Sequence, residues 1–228
     1  MMNRLATIIL SLALLSGGMF LISAPSSAQV LDPQSLEFLR QVLSATPDPQ
    51  AGKPAYIRNC AACHGTQGLP SSRRDVPHLF GQHEYYLLFE LVQIKALNRL
   101  APEMHHVLAN ESIANAQSIR DLSAYIASQP TLGDVEHGSG QGLASGEQLY
   151  QSQCAQCHGK NGEGDDAMPR LAGQNYTYLL TQLRLYTAGH RNNTDRPTLN
   201  FVAGLSTADQ TAVADYLSRL MAQKSSRQ

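Results

Sequence analysis

Basic residues are not in excess in this sequence of 228 residues, because 17 Lys and Arg face 18 Asp and Glu, a formal net charge of −1. Without surplus cations to neutralise phosphates, nucleic acid is excluded as a partner. Cysteine and histidine are scarce, with four and eight copies, so their spacing carries more information than their number. Downstream of the N-terminus no apolar run is long enough to cross a membrane, and no alternating run predicts a strand. Hydrophobic residues still make up 43% of the chain, which excludes disorder throughout.

Residues 1–28 have the composition of an export signal. Arg4 is the single charge, an almost wholly apolar stretch follows, and Ser26 and Ala28 occupy the −3 and −1 positions of a signal peptidase site. The pattern predicts cleavage after Ala28 and a mature protein outside the cytoplasm. A retained membrane anchor is the alternative, because an apolar stretch of about 18 residues is near the minimum for spanning a bilayer.

Most of the remaining chain is a duplicated unit. The stretch from Gly52 to Gly65 matches the stretch from Gly146 to Gly159, which lies 94 residues later, and a second match follows at an offset of 92. Gly52 and Gly146 are expected to permit close packing against the last helix of each copy. We divide the chain into a signal peptide (1–28), an N-terminal extension (29–50), a first domain (51–130), a linker containing glycines (131–145) and a second domain (146–228).

Hydrophobic residues recur with helical spacing in both copies. Leucines and Ile94 predict a helix over residues 85–97. Ser206, with Asp209 three residues later, predicts a capped helix over residues 207–220. The predicted fold is all-α, with two tandem domains.

Each copy contains the pattern C-x-x-C-H, which is typical of covalent haem attachment. Two cysteines three residues apart lie on one side of a helical turn, where each thiol can add to a haem vinyl group, and the adjacent imidazole ligates the iron. The sequence therefore predicts two covalently attached haem c groups. The attaching cysteines and the ligating histidine are Cys60, Cys63 and His64 in the first copy, and Cys154, Cys157 and His158 in the second.

Three other uses of the cysteines are conceivable. Disulfides suit an exported chain, a C-x-x-C pair suits a thioredoxin-like centre, and two C-x-x-C pairs suit a shared zinc site. None of these explains why histidine follows both pairs within a repeated context.

A proline follows each of these histidines within Pro-x-Leu-x-Gly-Gln. Pro77 and Pro169 lie 13 and 11 residues after the respective histidine. An imidazole that ligates iron through one nitrogen needs an acceptor for its other N–H, and a carbonyl on a proline turn can serve. Gln82 and Gln174, which end the pattern, are expected to cap the helices that follow.

The repeated Gly-x-x-x-Tyr-x-x-x-Cys-x-x-Cys-His-Gly and Pro-x-Leu-x-Gly-Gln-x-x-x-Tyr-Leu make residues 51–221 resemble the diheme class I cytochromes c of the cytochrome c4 type. The resemblance implies two class I cytochrome c folds in tandem, each with helices packed around a covalently bound haem. It also implies electron transfer in the bacterial periplasm, often toward terminal oxidases.

The first copy offers a methionine as the second axial ligand of its haem. Met104 lies 40 residues after His64, ahead of the last helix, where the family carries its ligand. A methionine sulfur in this position raises the reduction potential. His105 and His106 are the adjacent rivals.

The second copy departs from the family at this point. Counting back 18 residues from Tyr216, the position of the methionine falls on Thr198. Met168 precedes Pro169 on the proximal side, so its loop would have to reorganise before it could ligate. The remaining possibilities are Asn200, His190 or an empty position. We therefore predict that the second haem lacks a methionine ligand and is five-coordinate or weakly closed.

Four further polar residues are candidates either for contacts with the haem propionates or for positions in solvent. Arg99 and Arg191 occupy equivalent places and are candidates for pairing with haem propionates, with a solvated helix end as the alternative. His78 and His83 are expected at the surface, with a hydrogen bond to a haem propionate as the alternative.

We expect an electron carrier rather than an enzyme. It would pass single electrons in the periplasm from a donor dehydrogenase or quinol-oxidising complex to a terminal oxidase or reductase. The alternatives are the cytochrome subunit of a dehydrogenase and a diheme redox enzyme that uses an open site at the second haem. Association with a membrane would come through a partner or through an uncleaved N-terminal segment.

Overall fold

The computed structural model describes residues 31–70, 75–131, 134–191, 193 and 196–221, so the predicted export signal lies outside the described residues. Every regular element within these ranges is a helix, which confirms the all-α prediction. None of the described helices combines the length and apolar content that a membrane crossing needs. In chain order the helices are α1 (Pro33–Ser44), α2 (Pro49–Asn59), α3 (Ala61–His64), α4 (Glu84–Lys95), α5 (Pro102–Leu108), α6 (Ala116–Ser128), α7 (Leu143–Gln153), α8 (Ala155–His158), α9 (Tyr176–Thr187), α10 (Arg196–Ala203) and α11 (Thr207–Arg219).

The two copies have the same architecture. Helix α2 packs against α6, which also contacts α4, and α7 packs in the same way against α11, which also contacts α9. Each copy has its own hydrophobic core around a fully buried tyrosine, Tyr56 in the first and Tyr150 in the second. The chain is therefore two tandem domains of one type.

Close packing between the first and last helices of each domain depends on a glycine. A Cβ atom at Gly52 would overlap the carbonyl oxygen of Asp121 on α6. A Cβ atom at Gly146 would overlap the carbonyl oxygen of Ala212 on α11. The predicted reason for these glycines is confirmed, because any side chain would push the helices apart.

Helix α1, from the N-terminal extension, covers the first domain. Asp32 caps it by accepting hydrogen bonds from the backbone N–H groups of Gln34 and Ser35, each at 3.0 Å. Leu39 and Val42 pack into a cluster formed with residues of α4 and α6. The extension thus enlarges the core of the first domain. Among the described helices, the second domain has no equivalent of α1.

The helix predicted over 85–97 begins one residue earlier and ends at Lys95. Leu97 has a φ of 60°, in the left-handed region, and its counterpart Gly189 has a φ of 71°. A left-handed conformation costs a residue with a side chain about 1–2 kcal/mol, and it ends the helix before the predicted position. The other predicted helix, α11, starts with the expected capping box between Ser206 and Asp209.

Candidate functional site

Both histidines that follow the cysteine pairs are oriented by a proline carbonyl. His64 Nδ1 lies 3.2 Å from the carbonyl oxygen of Pro77, and His158 Nδ1 lies 3.1 Å from that of Pro169. These distances fit hydrogen bonds in which the imidazole N–H donates. An imidazole that donates from Nδ1 keeps the Nε2 lone pair for a metal, so both rings are held in the tautomer that ligates iron.

The loops around each histidine are tied together by backbone hydrogen bonds. The N–H of Leu79 donates to the carbonyl of Gly68 at 2.8 Å, and the N–H of Leu171 donates to that of Gly162 at 2.8 Å. These bonds fix the proline segment against the loop that follows C-x-x-C-H. The proline carbonyl therefore has a fixed position relative to the histidine.

The repeated tyrosine supports the same loop from beneath. Tyr56 Oη donates to the carbonyl oxygen of Gly65 at 2.7 Å, and Tyr150 Oη donates to that of Gly159. In the sequence this tyrosine stands four residues before the first cysteine of each copy. Its spacing from the cysteines, repeated in both copies, was the signal for this hydroxyl contact.

The cysteines do not have the arrangement that the rival uses require. All four are free thiols, so neither pair forms a disulfide. Burial, and next the neighbouring cysteine, raises the pKa of Cys60 and of Cys154 to about 11, whereas a thioredoxin-like centre needs a lowered pKa. Within the described ranges, no group of three or more metal-ligating side chains is present as a zinc site would need.

A cavity of about 1040 Å³ extends across both domains. Both C-x-x-C-H segments line it, including His64 and His158, and so do the two proline segments. The domains therefore turn their candidate haem crevices toward each other.

The walls opposite the two histidines differ in one decisive residue. In the first domain Met104 on α5 lines the cavity and packs against Ile94 and Leu108. In the second domain Thr198 on α10 lines the cavity, followed by Phe201 and Val202. The equivalent walls carry a thioether in one domain and a hydroxyl in the other.

The other candidate axial ligands are placed less favourably. His105 and His106 do not line the cavity, and His105 Nε2 instead lies 3.0 Å from the carbonyl oxygen of Arg99. His190 and Asn200 are exposed. Met168 lines the cavity, but it is the residue directly before Pro169, on the side of His158.

Reciprocal hydrogen bonds join the two domains through the two glutamines expected to act as caps. Gln82 accepts from the N–H of Arg170 at 2.8 Å and donates to its carbonyl at 3.0 Å. Gln174 accepts from the N–H of His78 at 2.6 Å and donates to its carbonyl at 3.0 Å. Each glutamine also accepts from the N–H of the next residue, His83 or Asn175, which is itself the N-cap of the following helix. Neither helix has a side-chain cap, so the prediction that the glutamines cap them is wrong.

The expectation that His78 and His83 lie at the surface is wrong. His78 is 1% exposed and His83 is 9% exposed, because both lie in the contact between the domains. His83 Nε2 lies 2.8 Å from the carbonyl oxygen of Glu163 in the second domain. A single sequence offers no sign of which surface one domain will cover on another.

His78 should make the domain contact sensitive to acid. Burial, with the charge of Arg170 as the next cause, lowers the pKa of His78 to about 4, and its Nε2 is buried without a hydrogen-bond partner in the described part of the chain. As the pH falls, His78 is protonated in the unfolded chain at about pH 6.5 but in the folded chain only at about pH 4. The stability that neutral His78 contributes is therefore lost as the pH falls from about 6.5 to about 4.

We expect His78→Asn to remove this component, because an amide can still donate to the carbonyl of Gly173 but does not titrate in this range. Urea unfolding of wild type and variant at a series of pH values measures it. His106→Asn, at an exposed position, is the control. Parallel pH profiles for His78→Asn and wild type would contradict the prediction.

Two buried arginines meet a single carboxylate between the domains. Arg99 and Arg191 both pair with Glu90, the second at 3.0 Å, and all three line the cavity. The guanidinium groups also contact tyrosines of the opposite domain: Arg99 donates to Tyr178 Oη at 3.0 Å and Arg191 to Tyr86 Oη at 3.3 Å. Neither arginine lies at a solvated helix end, which was the alternative from the sequence.

These features fit a haem in each crevice. Each side of the cavity offers two thiols and an oriented imidazole, and the cluster of Glu90 with its two arginines carries one positive charge in excess. Buried positive charge is stable only when paired, so a negatively charged group such as a propionate would complement it.

Comparisons with known proteins agree with this arrangement. A family model described as Cytochrome c matches residues 49–130 and 143–221. Cytochrome c4 of Azotobacter vinelandii is 36% identical over 183 residues, covering 71% of this chain and 84% of that protein. The crystal structure of reduced recombinant cytochrome c4 from Pseudomonas stutzeri is similar with a TM-score of 0.69 and 31% identity, covering 77% of this chain and 100% of that one. A thiosulfate dehydrogenase electron acceptor of Stutzerimonas stutzeri (strain A1501) is 27% identical, covering 75% of this chain and 83% of that protein.

Proposed function

Because the chain belongs to the cytochrome c family, within its diheme cytochrome c4 group, we propose that it carries single electrons in the periplasm between a donor complex and a terminal acceptor. The chain is a diheme c-type cytochrome with two covalently attached haem c groups. Haem supplies one-electron redox chemistry at its iron. The protein supplies ligands, a pocket of low dielectric constant and the contact between two crevices.

The two C-x-x-C-H segments hold the cofactors. In this proposal the thiols of Cys60 and Cys63, and of Cys154 and Cys157, form the thioether links. His64 and His158 are the proximal ligands, and the carbonyl groups of Pro77 and Pro169 orient them. The observation that carries the proposal is this imidazole–carbonyl contact, which occurs once in each domain on the walls of one shared cavity.

We assign Met104 as the second axial ligand of the first haem. We assign no methionine as the second axial ligand of the second haem. Thr198 stands where the thioether would be, and the exposed Asn200 and His190 are poorly placed to replace it. Loss of a thioether ligand lowers the reduction potential, so the second haem should have a lower potential than the first.

Arg99 and Arg191 are assigned to the propionates. Their pairing with Glu90 leaves one positive charge in excess at the centre of the domain contact. Charge-assisted hydrogen bonds from guanidinium groups to carboxylates are among the strong hydrogen bonds of proteins, and the planar guanidinium matches the carboxylate geometry.

A dehydrogenase is the donor we favour. A relative of this chain is named a thiosulfate dehydrogenase electron acceptor, and the similarity covers 83% of that protein. A terminal oxidase or reductase would be the acceptor. The alternative of a cytochrome subunit that stays bound to its dehydrogenase predicts co-purification, whereas a free carrier elutes alone.

The proposal is tested on exported holoprotein that contains two haems by pyridine haemochrome assay. A potentiometric titration should resolve two one-electron steps, and the charge-transfer band between methionine sulfur and ferric iron should count one per chain. Met104→Thr should abolish this band and lower the higher of the two potentials. Met221→Thr, which changes a methionine that is 86% exposed, is the matched control. Colourless protein, or a band that counts two per chain, would refute the proposal.

A further inference from the structure

We propose that the crevice of the second domain is a binding site for a small uncharged diatomic ligand, of the chemical class of nitric oxide and carbon monoxide, with Thr198 and Tyr186 forming its polar wall. The inference rests on the proposed function, because it requires a haem held by His158 without a methionine opposite. It adds a ligand-binding role to one of the two electron-carrying sites.

Two residues on the wall of the crevice change between the domains. Tyr186, at the offset of 92 that relates Arg99 to Arg191, takes the place of Ile94. Thr198, which lies 18 residues before Tyr216, stands where the family carries its methionine. In the first domain Ile94 and Met104 are in one hydrophobic cluster. The second domain thus exchanges an aliphatic group and a thioether for two hydroxyl groups among the residues that line the cavity.

The exchange leaves space where the thioether would lie. A methionine sulfur is three atoms beyond Cα, whereas the threonine hydroxyl is two atoms beyond it, and its branch at Cβ stiffens the side chain. A hydroxyl at this shorter reach does not replace a thioether as an iron ligand. Among the described residues of α10 that line the cavity, none supplies a thioether, which leaves room for a small molecule.

The rest of the wall selects against charge. Leu183, Phe201 and Val202 line the cavity on this side, and desolvating an ion among apolar side chains is costly unless it is paired. Arg191, which lines the cavity, already pairs with Glu90, and its guanidinium lies 4.7 Å above the centre of the Tyr186 ring. An uncharged diatomic ligand meets these conditions.

Tyr186 supplies a hydrogen-bond donor. Burial raises the pKa of Tyr186, so its hydroxyl stays protonated at physiological pH. The ring lines the cavity and is stacked under Arg191, which restricts its motion. Donors in the distal pocket help decide which small ligands a haem retains.

The test titrates dithionite-reduced holoprotein with carbon monoxide and, separately, with nitric oxide, and follows the optical difference spectrum. We expect one ligand per two haems. Thr198→Met should reduce the stoichiometry to none and add a second methionine–iron band, and Met104→Thr should raise it to two.

Two further variants test the wall. Tyr186→Phe keeps the ring and its stacking on Arg191, so we expect it to weaken nitric oxide binding about 2- to 10-fold, the range for one hydrogen bond. Tyr176→Phe, on the same helix but away from the cavity, should leave binding unchanged. An unchanged affinity in Tyr186→Phe would overturn the role of that hydroxyl.

The outcomes separate this inference from the proposed function. Two haems that reduce reversibly but bind no carbon monoxide would overturn the ligand site and leave the carrier intact. Two ligands per wild-type chain, or binding of cyanide or azide without binding of the gases, would also overturn it. Protein without haem or without reversible reduction would refute the proposed function itself.

Discussion

Replacing Glu90 with glutamine is expected to lower the free energy of unfolding by about 3–5 kcal/mol. Glu90 is the one carboxylate that pairs with both Arg99 and Arg191 between the domains, and all three side chains are largely buried. Glutamine keeps the shape but removes the carboxylate charge of the polypeptide with which both guanidinium groups pair. Urea unfolding of the holoprotein at neutral pH, followed by circular dichroism, measures the loss.

The matched control is Glu37→Gln, which makes the same chemical change in an exposed pair with Arg40 at 3.2 Å. Exposed pairs contribute at most about 1 kcal/mol, so this variant should unfold nearly as wild type does. If Glu90→Gln cost no more than the control, a propionate or another negative group would be the main counter-charge, and Glu90 would not.

Acid should remove the same contribution in wild type. Burial alone would raise the pKa of Glu90, but the charges of Arg99 and Arg191 outweigh it and hold that pKa below the ordinary value of 4.5. The stabilisation is fully present above pH 4.5, where glutamate is ionised in the unfolded chain too, and it is lost as the pH falls below that value. The difference in stability between wild type and Glu90→Gln should therefore narrow below pH 4.5.

The local parts of the haem sites could be predicted from sequence because they depend on short chain distances. C-x-x-C-H lies within one helical turn, and the contact of His64 with the carbonyl of Pro77 spans 13 residues. The repeat made the prediction stronger, since the same pair of residues recurs as His158 and Pro169. Both contacts are present in the structure at nearly equal distances.

The contact between the domains was not predicted, because it depends on which surfaces of two folded units fit together. Gln82 and Gln174 occupy equal positions in the repeat, which suggested a role inside each domain. In the structure each reaches the backbone of the other domain, so the symmetry of the repeat becomes a near twofold symmetry of the contact. A residue that pairs across such an axis looks the same in sequence as one that pairs within its own unit.

The asymmetry between the domains was visible in the sequence where it changes a residue type. The second copy has no methionine where the family carries its ligand, because the family's spacing of 18 residues before Tyr216 falls on Thr198. The replacement of Glu90 by Gln182 at the centre of the contact was missed, because neither residue lies near a motif. That replacement leaves one carboxylate for two arginines, and it makes the charge balance of the contact depend on groups outside the polypeptide.

Gly52→Ala is the other substitution with a large expected effect. The added methyl group would overlap the backbone carbonyl of Asp121 and Cβ of Tyr125, neither of which can rotate away, so α2 and α6 must separate. Overpacking that forces side chains and backbone to shift costs about 1–3 kcal/mol, and we expect about 3 kcal/mol here because the overlap is with backbone atoms. Gly204→Ala is the control, because its methyl group would approach only the carbonyl of Phe201, at 3.4 Å. Urea unfolding and the yield of exported holoprotein measure both. Equal stability of the two variants would contradict this prediction. It would mean that α2 and α6 can move apart at little cost, and that α2, which carries Tyr56, does not need glycine at position 52 to pack.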